Sequence, residues 1–322
     1  MDDFTIHVVC PNPALDRLQT VREFTPFEVN RVTSVRSLPG GKGMIVCRAS
    51  RRMDARVTAH GFVGGAVGQI IRGGCDELGV DDHHVEIAGE TRVTPVVIEE
   101  STGRSTVLNE RGPDVTTEEQ SALLAGLEAV VRPGDVVVST GSLPPGCDAD
   151  LHARVARRAT EQGALTIIDA HGPALRAVID DLRSHPVSGR LIIKPNAVEL
   201  GEVIGVELGS IEAAMSATRE LVAETGATFV LTLGADGALW VGDEAFTVDS
   251  PRVATVNATG SGDSFLAGLA VALGRGEQPV DAMTLAAALG AANAANLTPD
   301  VDPDLVRELR PQVTVFRATE NV

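Results

Sequence analysis

Tyrosine is missing from this chain altogether, and a single tryptophan, Trp240, stands beside eight phenylalanines. So few aromatic rings leave little material for the platforms on which bases stack. Basic residues are scarce as well: 27 lysines and arginines face 44 aspartates and glutamates, a formal net charge of −17. A chain this acidic argues against a nucleic-acid surface, which needs a basic patch. No apolar run reaches the length of about 18 residues that a membrane-spanning helix requires, so none is expected. The chain opens on Asp2 and Asp3 and then a strand-like Phe4–Val9. It lacks a basic leader with an apolar core, so a secretory signal is not expected. Its four cysteines, Cys10, Cys47, Cys75 and Cys147, show no paired metal spacing. They read as free thiols in a reducing cytoplasm.

What remains is an ordinary globular composition, 43% hydrophobic and 22% charged over 322 residues. Strand-like apolar runs recur at Asp135–Ser139, Leu165–Asp169, Leu191–Lys194 and Thr228–Leu233. Between them lie helical stretches such as Asp150–Gln162, Ile211–Thr225 and Ala282–Ala295. This alternation predicts an α/β fold, a mostly parallel sheet covered by helices on both faces, with ligands beyond the carboxyl ends of the strands. Two regions, approximately 14–36 and 91–110, break the pattern. Arg31–Arg36, Val93–Glu99 and Ser105–Leu108 read there as short strands of a small sheet, either a lid or a pair of surface hairpins. No repeat, low-complexity tract or long linker divides the chain, so 1–322 reads as one domain carrying that lid.

The segment Val256–Phe265 carries the sharpest chemical signal. Gly260 and Gly262 stand just before Asp263, and Phe265, Leu269 and Leu273 then recur on one helical face. The glycines therefore sit at a helix start, where backbone N–H groups lack partners and the dipole is positive. Glycine lets that backbone approach an anion closely. A carboxylate in such a place makes sense as a base that takes a proton from a nucleophile. The combination points to phosphoryl transfer to a hydroxyl, with Asp263 as base; a plain capped turn is the alternative.

Other motifs fall just after strand-like runs. Gly40-Gly41-Lys42-Gly43 opens a helical run through Met53, suited to an anionic or polyhydroxylated ligand. Its spacing is not that of a Walker A loop, and a turn with a solvated lysine is the plainer reading. In Lys194-Pro195-Asn196-Ala197-Val198-Glu199, Asn196 and Glu199 are three apart and share one face if a helix begins there. Asn and Glu suit Mg²⁺, usually held through water, although an acid in a first helical turn is also favoured by the dipole. Thr140–Gly146 offers hydroxyls and backbone N–H groups. Thr232, Gly234 and Gly237 close another strand, in a segment that could admit a nucleotide or simply turn a hairpin. Asp16, in Asn12–Arg17, could accept hydrogen bonds from sugar hydroxyls.

Taken in order, Asn-Pro-Ala-Leu-Asp, Gly-Gly-Lys-Gly, Thr-Arg, Thr-Gly-Ser-Leu-Pro-Pro-Gly, Lys-Pro-Asn-x-x-Glu, Leu-Gly-Ala-Asp-Gly-Ala and Gly-Ser-Gly-Asp-Ser-Phe resemble the PfkB/ribokinase family of carbohydrate kinases, over nearly the whole chain. Asn12–Asp16 and Ser142–Gly146 look most like its hexose-phosphate branch, 1-phosphofructokinase and tagatose-6-phosphate kinase. The resemblance implies a ribokinase-like three-layer α/β/α sandwich with a small β-sheet lid, and ATP and Mg²⁺ as cofactors. It implies Asp263 as base, with Gly260, Ser261 and Gly262 offering N–H groups to the transferring phosphoryl. Asp16, Gly40, Gly41 and Ser142 would hold the sugar, and Lys42, Arg31 and Arg92 would neutralise its existing phosphate. Asn196 and Glu199 would organise Mg²⁺ and its water. Lys194 would lie near the nucleotide phosphates, Thr232, Gly234 and Gly237 on the nucleotide side, and Asn293 near the base. The resemblance also allows a homodimer through the lid.

The chain departs from the family's pattern in places. Met44-Ile45 stands where the family usually shows Ile-Asn, Thr94-Pro95 where an Asn often stands, and Ala258-Thr259 where Thr-Val is more usual. An apolar Ile45 cannot replace the hydrogen bonds of an Asn, which implies a changed acceptor with the chemistry retained. Two other readings remain open: a kinase of an unphosphorylated sugar or nucleoside, and a sugar-phosphate-binding protein without catalysis.

Overall fold

The computed structural model describes residues 4–186 and 190–317, so Asp2 and Asp3 lie outside it. Among these residues the apolar runs become an eleven-stranded sheet. Thr5–Cys10 lies inside it, parallel to Arg56–Val63 on one side and Val136–Thr140 on the other. Leu165–Asp169, Leu191–Ile193 and Thr228–Thr232 continue the parallel order outward. The strands Ala238–Val241, Ala245–Val248 and Val315–Arg317 then add an antiparallel edge. Asp236-Gly237 belongs to the turn that starts this edge, where the Leu233 N–H donates to the Gly237 carbonyl at 2.8 Å. The hairpin reading of that segment is therefore the observed backbone.

Strand side chains alternate between the two faces, and both faces are buried. Ile6, Val8, Val136, Val138 and Ile167 pack with helices Lys42–Arg52, Ser261–Gly274 and Pro279–Ala294. Val9, Val137 and Ile168 pack the other way, against Thr117–Val130, Leu151–Glu161 and Gly172–Ser184. The result is a three-layer sandwich. Its helix ends follow local rules: Ser210 accepts the Ala213 N–H at the start of Ile211–Thr225, and Gly226 ends that helix in the left-handed region. Ser261–Gly274 is buried from Asp263 to Leu273, not along one face only. It is enclosed by its neighbours, and a Cβ at Gly268 would come within 2.8 Å of the Ala286 Cα. No helix among the described residues is long and apolar enough to cross a membrane.

The small sheet is separate and four-stranded, in the order Ser34–Gly40, Ala14–Val21, Arg92–Glu99, Ser105–Val107. The central pair is parallel and the outer pairs are antiparallel. The strand read at Arg31–Arg36 begins only at Ser34, which leaves Arg31 in the connection before it. All four cysteines are free thiols.

Candidate active site

The carboxyl ends of the parallel strands and the inner side of the small sheet enclose a cavity of about 970 Å³. Asn12, Asp16, Lys42, Arg92, Ser142 and Asp263 are among the residues lining it. A second, smaller cavity of about 170 Å³ is lined by Lys42, Asp169, Lys194, Asn196, Glu199, Thr232, Gly262 and Asp263. Lys42 and Asp263 belong to both walls. One chamber is roomy and mixed in character, the other small and ionic, and they meet at these two side chains.

Asp263 sits in the first turn of Ser261–Gly274, with Gly260 preceding it in the left-handed region at φ 82°. The positive φ favours glycine there, and a Cβ would stand tightly, 3.0 Å from the Pro299 Cβ and 3.2 Å from the Ile45 Cδ1. The helical ladder starts with the Ser264 N–H donating to the Gly260 carbonyl at 2.8 Å. The Gly262 and Asp263 N–H groups are left without a helical partner. The Ser261 N–H differs from expectation: it donates to the Ala258 carbonyl at 3.1 Å and so is spent within the loop.

Charge is concentrated around Asp263. Asp169 ends the buried strand Leu165–Asp169 and is itself buried, 3.2 Å from both the Lys42 Nζ and the Lys194 Nζ. It also accepts a hydrogen bond from the Thr140 hydroxyl at 2.9 Å. Burial alone would raise its pKa, but Lys194 and Lys42 hold it well below the usual carboxylate range. Burial would likewise lower Lys42, but Asp169, Asp263 and Glu199 outweigh it and keep it firmly charged. Asp263 goes the other way. Burial pushes it up, Lys42 and Lys194 pull it down, Asp169 and Glu199 push it up again, and it comes to about 7. A base poised near neutrality is what proton abstraction at physiological pH requires.

At the roomy end, Gly40 lies against Asp16: a Cβ there would stand 2.1 Å from the Asp16 carboxylate. The same carboxylate takes the Gly41 N–H, and burial raises its pKa. Asn12 donates to the Ser142 hydroxyl at 3.2 Å and to the Arg111 carbonyl at 3.0 Å. Arg92 donates to the Asn12 carbonyl at 2.9 Å and to the Glu110 carbonyl at 3.0 Å. His152 fixes the neighbouring loop by bonding the Gly141 carbonyl at 3.2 Å and the Ser139 hydroxyl at 2.8 Å. Burial pushes its pKa down to about 4, so it is neutral.

Of the expected residues, Arg31 stands elsewhere. Arg31 is exposed and does not line either cavity. Lys42 lines the roomy cavity together with Arg92 and is ion-paired with Asp169. Asn196 and Glu199 close a capping box: the Glu199 N–H reaches the Asn196 Oδ1 at 2.8 Å, and the Asn196 N–H reaches Glu199 Oε2 at 2.9 Å. Thr232 lines the ionic cavity, while Gly234 and Gly237 lie in the hairpin turn outside it. At Gly237 a Cβ would meet the Val248 carbonyl at 1.9 Å, so that glycine answers a backbone need. Asn293, expected beside a base, is fully buried with its amide bonded to Thr259, Ser261 and Ser264. Asp169 and Arg111 are among the lining residues not singled out from sequence. Asp169 carried one visible signal, an acid at the carboxyl end of an apolar run; Arg111 carried none.

A family model described as pfkB family carbohydrate kinase matches residues 12–299. The chain is similar to a 1-phosphofructokinase of Bacillus subtilis (strain 168), 30% identical over 313 residues, 97% of this chain and 99% of that one. It is similar to a tagatose-6-phosphate kinase of Staphylococcus epidermidis, 31% identical over 309 residues, 95% of this chain and 97% of that one. Phosphofructokinase-2 from Escherichia coli, solved in complex with fructose-6-phosphate, shares the fold with a TM-score of 0.87 at 25% identity, covering 96% of this chain and 99% of that one.

Proposed function

This chain belongs to the pfkB family of carbohydrate kinases, and within that family we propose that it transfers the γ-phosphoryl group of ATP to a hydroxyl of a phosphorylated sugar, with Asp263 as the general base. The observation that carries this reading is the shared wall: Asp263 and Lys42 face both the roomy cavity and the ionic one. The acceptor would occupy the first and the nucleotide phosphates the second. Its hydroxyl oxygen attacks the γ-phosphorus, Asp263 takes the hydroxyl proton, and the bond to the ADP oxygen breaks. Such transfer needs positioning and charge stabilisation more than covalent chemistry. Lys42 and Lys194, oriented by Asp169, supply positive charge, and the Gly262 and Asp263 N–H groups receive the phosphoryl oxygens.

The ionic cavity fits a magnesium ion by its chemistry. It offers the carboxylate of Glu199 on a rigid capped helix start, and a Cβ at Gly262 would meet nothing within 4 Å, which leaves a cradle open. Glu199, with Asn196 ordering it, would hold the ion through water, and the ion would neutralise phosphate charge. At the acceptor end Asp16 and Ser142 would bind sugar hydroxyls. Arg92 and Arg111 would meet the existing phosphate, a role that suits the planar guanidinium fork. The exposed lid residues Val32, Val35 and Val107 are compatible with a second copy packing there.

The test is ADP release with Mg·ATP against fructose 1-phosphate, fructose 6-phosphate, tagatose 6-phosphate and the unphosphorylated sugars. Turnover confined to phosphorylated acceptors is expected. Equal or better turnover of an unphosphorylated sugar would overturn the acceptor class.

A further inference from the structure

One buried side chain reaches up into the loop that carries the base. Asn293 lies near the end of helix Pro279–Ala294 and is completely buried. Its Nδ2 donates to the Thr259 carbonyl at 2.8 Å and to the Ser261 hydroxyl at 3.2 Å. Its Oδ1 accepts from the Ser264 hydroxyl at 3.1 Å. Only one amide orientation serves, because the Thr259 carbonyl can accept but never donate. Thr259 and Ser261 flank Gly260, and Ser264 follows Asp263. The three bonds therefore bracket the segment that presents the base and the phosphoryl-binding N–H groups.

The rest of the loop is docked on the same helix end. The Val256 and Asn257 N–H groups both reach the Ala294 carbonyl, at 2.8 and 3.1 Å. The Asn257 side chain bridges the Leu297 carbonyl and the Thr259 N–H. These backbone and Asn257 bonds fix the approach to Gly260 but touch nothing beyond Thr259. Among the described residues, Asn293 is the one side chain of this helix that hydrogen-bonds within Gly260–Ser264.

We infer that Asn293 is the positioning residue of phosphoryl transfer: by clamping Thr259, Ser261 and Ser264 it sets where the Gly262 and Asp263 N–H groups and the Asp263 carboxylate stand relative to the transferring group. The inference rests on the proposed reading of Asp263. It separates Asn293 from any direct contact with ATP, since every polar atom of its amide is already engaged inside the protein. Misplacement of reacting groups by about 1 Å can cost roughly 100-fold in rate. The loss therefore falls on kcat, with the KM values for ATP and acceptor little changed.

The experiment uses the full chain and three variants, Asn293→Leu, Ser264→Ala and Asp263→Asn, with kcat, both KM values and Tm measured on the best acceptor. Asn293→Leu is expected to lower kcat roughly 100-fold with both KM values within about threefold of the parent. Ser264→Ala removes one of the three clamp bonds and leaves the Asn293 Oδ1 without its partner, and is expected to lower kcat in the same sense by a smaller factor. It carries the test if the Leu variant does not fold. A folded Asn293→Leu or Ser264→Ala enzyme with parental kcat overturns the inference, as does a rise in the KM for ATP at unchanged kcat. Parental turnover by Asp263→Asn would instead sink the proposed reading itself, so the two failures are distinguishable.

Discussion

Lys42 and Asp169 meet at 3.2 Å on the partition between the two cavities, although 127 residues separate them in the chain. Lys42 opens a helix beneath the lid and Asp169 closes a buried strand of the central sheet. Their pairing ties the helix at the roomy cavity to the wall of the ionic one and contributes to the electrostatic balance around Asp263.

That balance yields a prediction for Asp169→Asn. Without the Asp169 charge, Lys42 and Lys194 lose their common partner, and phosphoryl transfer should slow by roughly 100-fold, the scale of a lost preorganised charge. Asp169 also raises the pKa of Asp263. Removing that charge should therefore shift the acid limb of kcat/KM to lower pH. A pH–rate profile of the variant reads both effects, and an unshifted limb would count against the coupling.

Ile45 lines the roomy cavity and abuts Gly260. A sugar hydroxyl directed at it loses its water without gaining a partner, at a cost of about 1–3 kcal/mol. Ile45→Asn should improve kcat/KM for ordinary hexose phosphates by roughly 10–100-fold. Competition between two acceptors differing in one hydroxyl would measure it, and no change in preference would refute the role.

Arg111 lines the same cavity as Arg92, whereas Arg31 does not. Arg111→Ala should raise the KM for a phosphorylated acceptor by roughly 10–100-fold, the scale of a lost charge-assisted hydrogen bond. The kcat at saturation should stay near the parent's, and so should the KM for ATP. Arg31→Ala should leave all three near parental values in the single chain. Initial-rate kinetics on the two variants separate the residues.

Much of the architecture was legible because it follows from periodicity and caps. Leu165–Asp169 and Ile211–Thr225 could be bounded from sequence because an apolar run, a capping serine and a terminal glycine mark them locally. The lid was less clear, since the alternation in Arg31–Arg36 does not reveal that pairing with Ala14–Val21 begins only at Ser34. Within the site, the Gly260–Asp263 segment was visible because glycine and acid at a helix start form a local pattern. The partner of Lys42 was not, because a contact across 127 residues leaves no mark in spacing. The hydrogen bonds of Asn293 were hidden for the same reason: its bonds to Thr259, Ser261 and Ser264 span some 30 positions and arise from two helices packing side by side.

The central claim is that Asp263 takes the acceptor's proton, and the most direct measurement is the pH dependence of kcat/KM for the parent and for Asp263→Asn. The Asp263 pKa is raised to about 7 in the free protein, so the charged base is lost as pH falls through that value. The account predicts parental activity that declines below about pH 7 and a variant slower by roughly 10²–10⁴ that has lost this limb. A variant with near-parental turnover, or with the same acid limb, would contradict it.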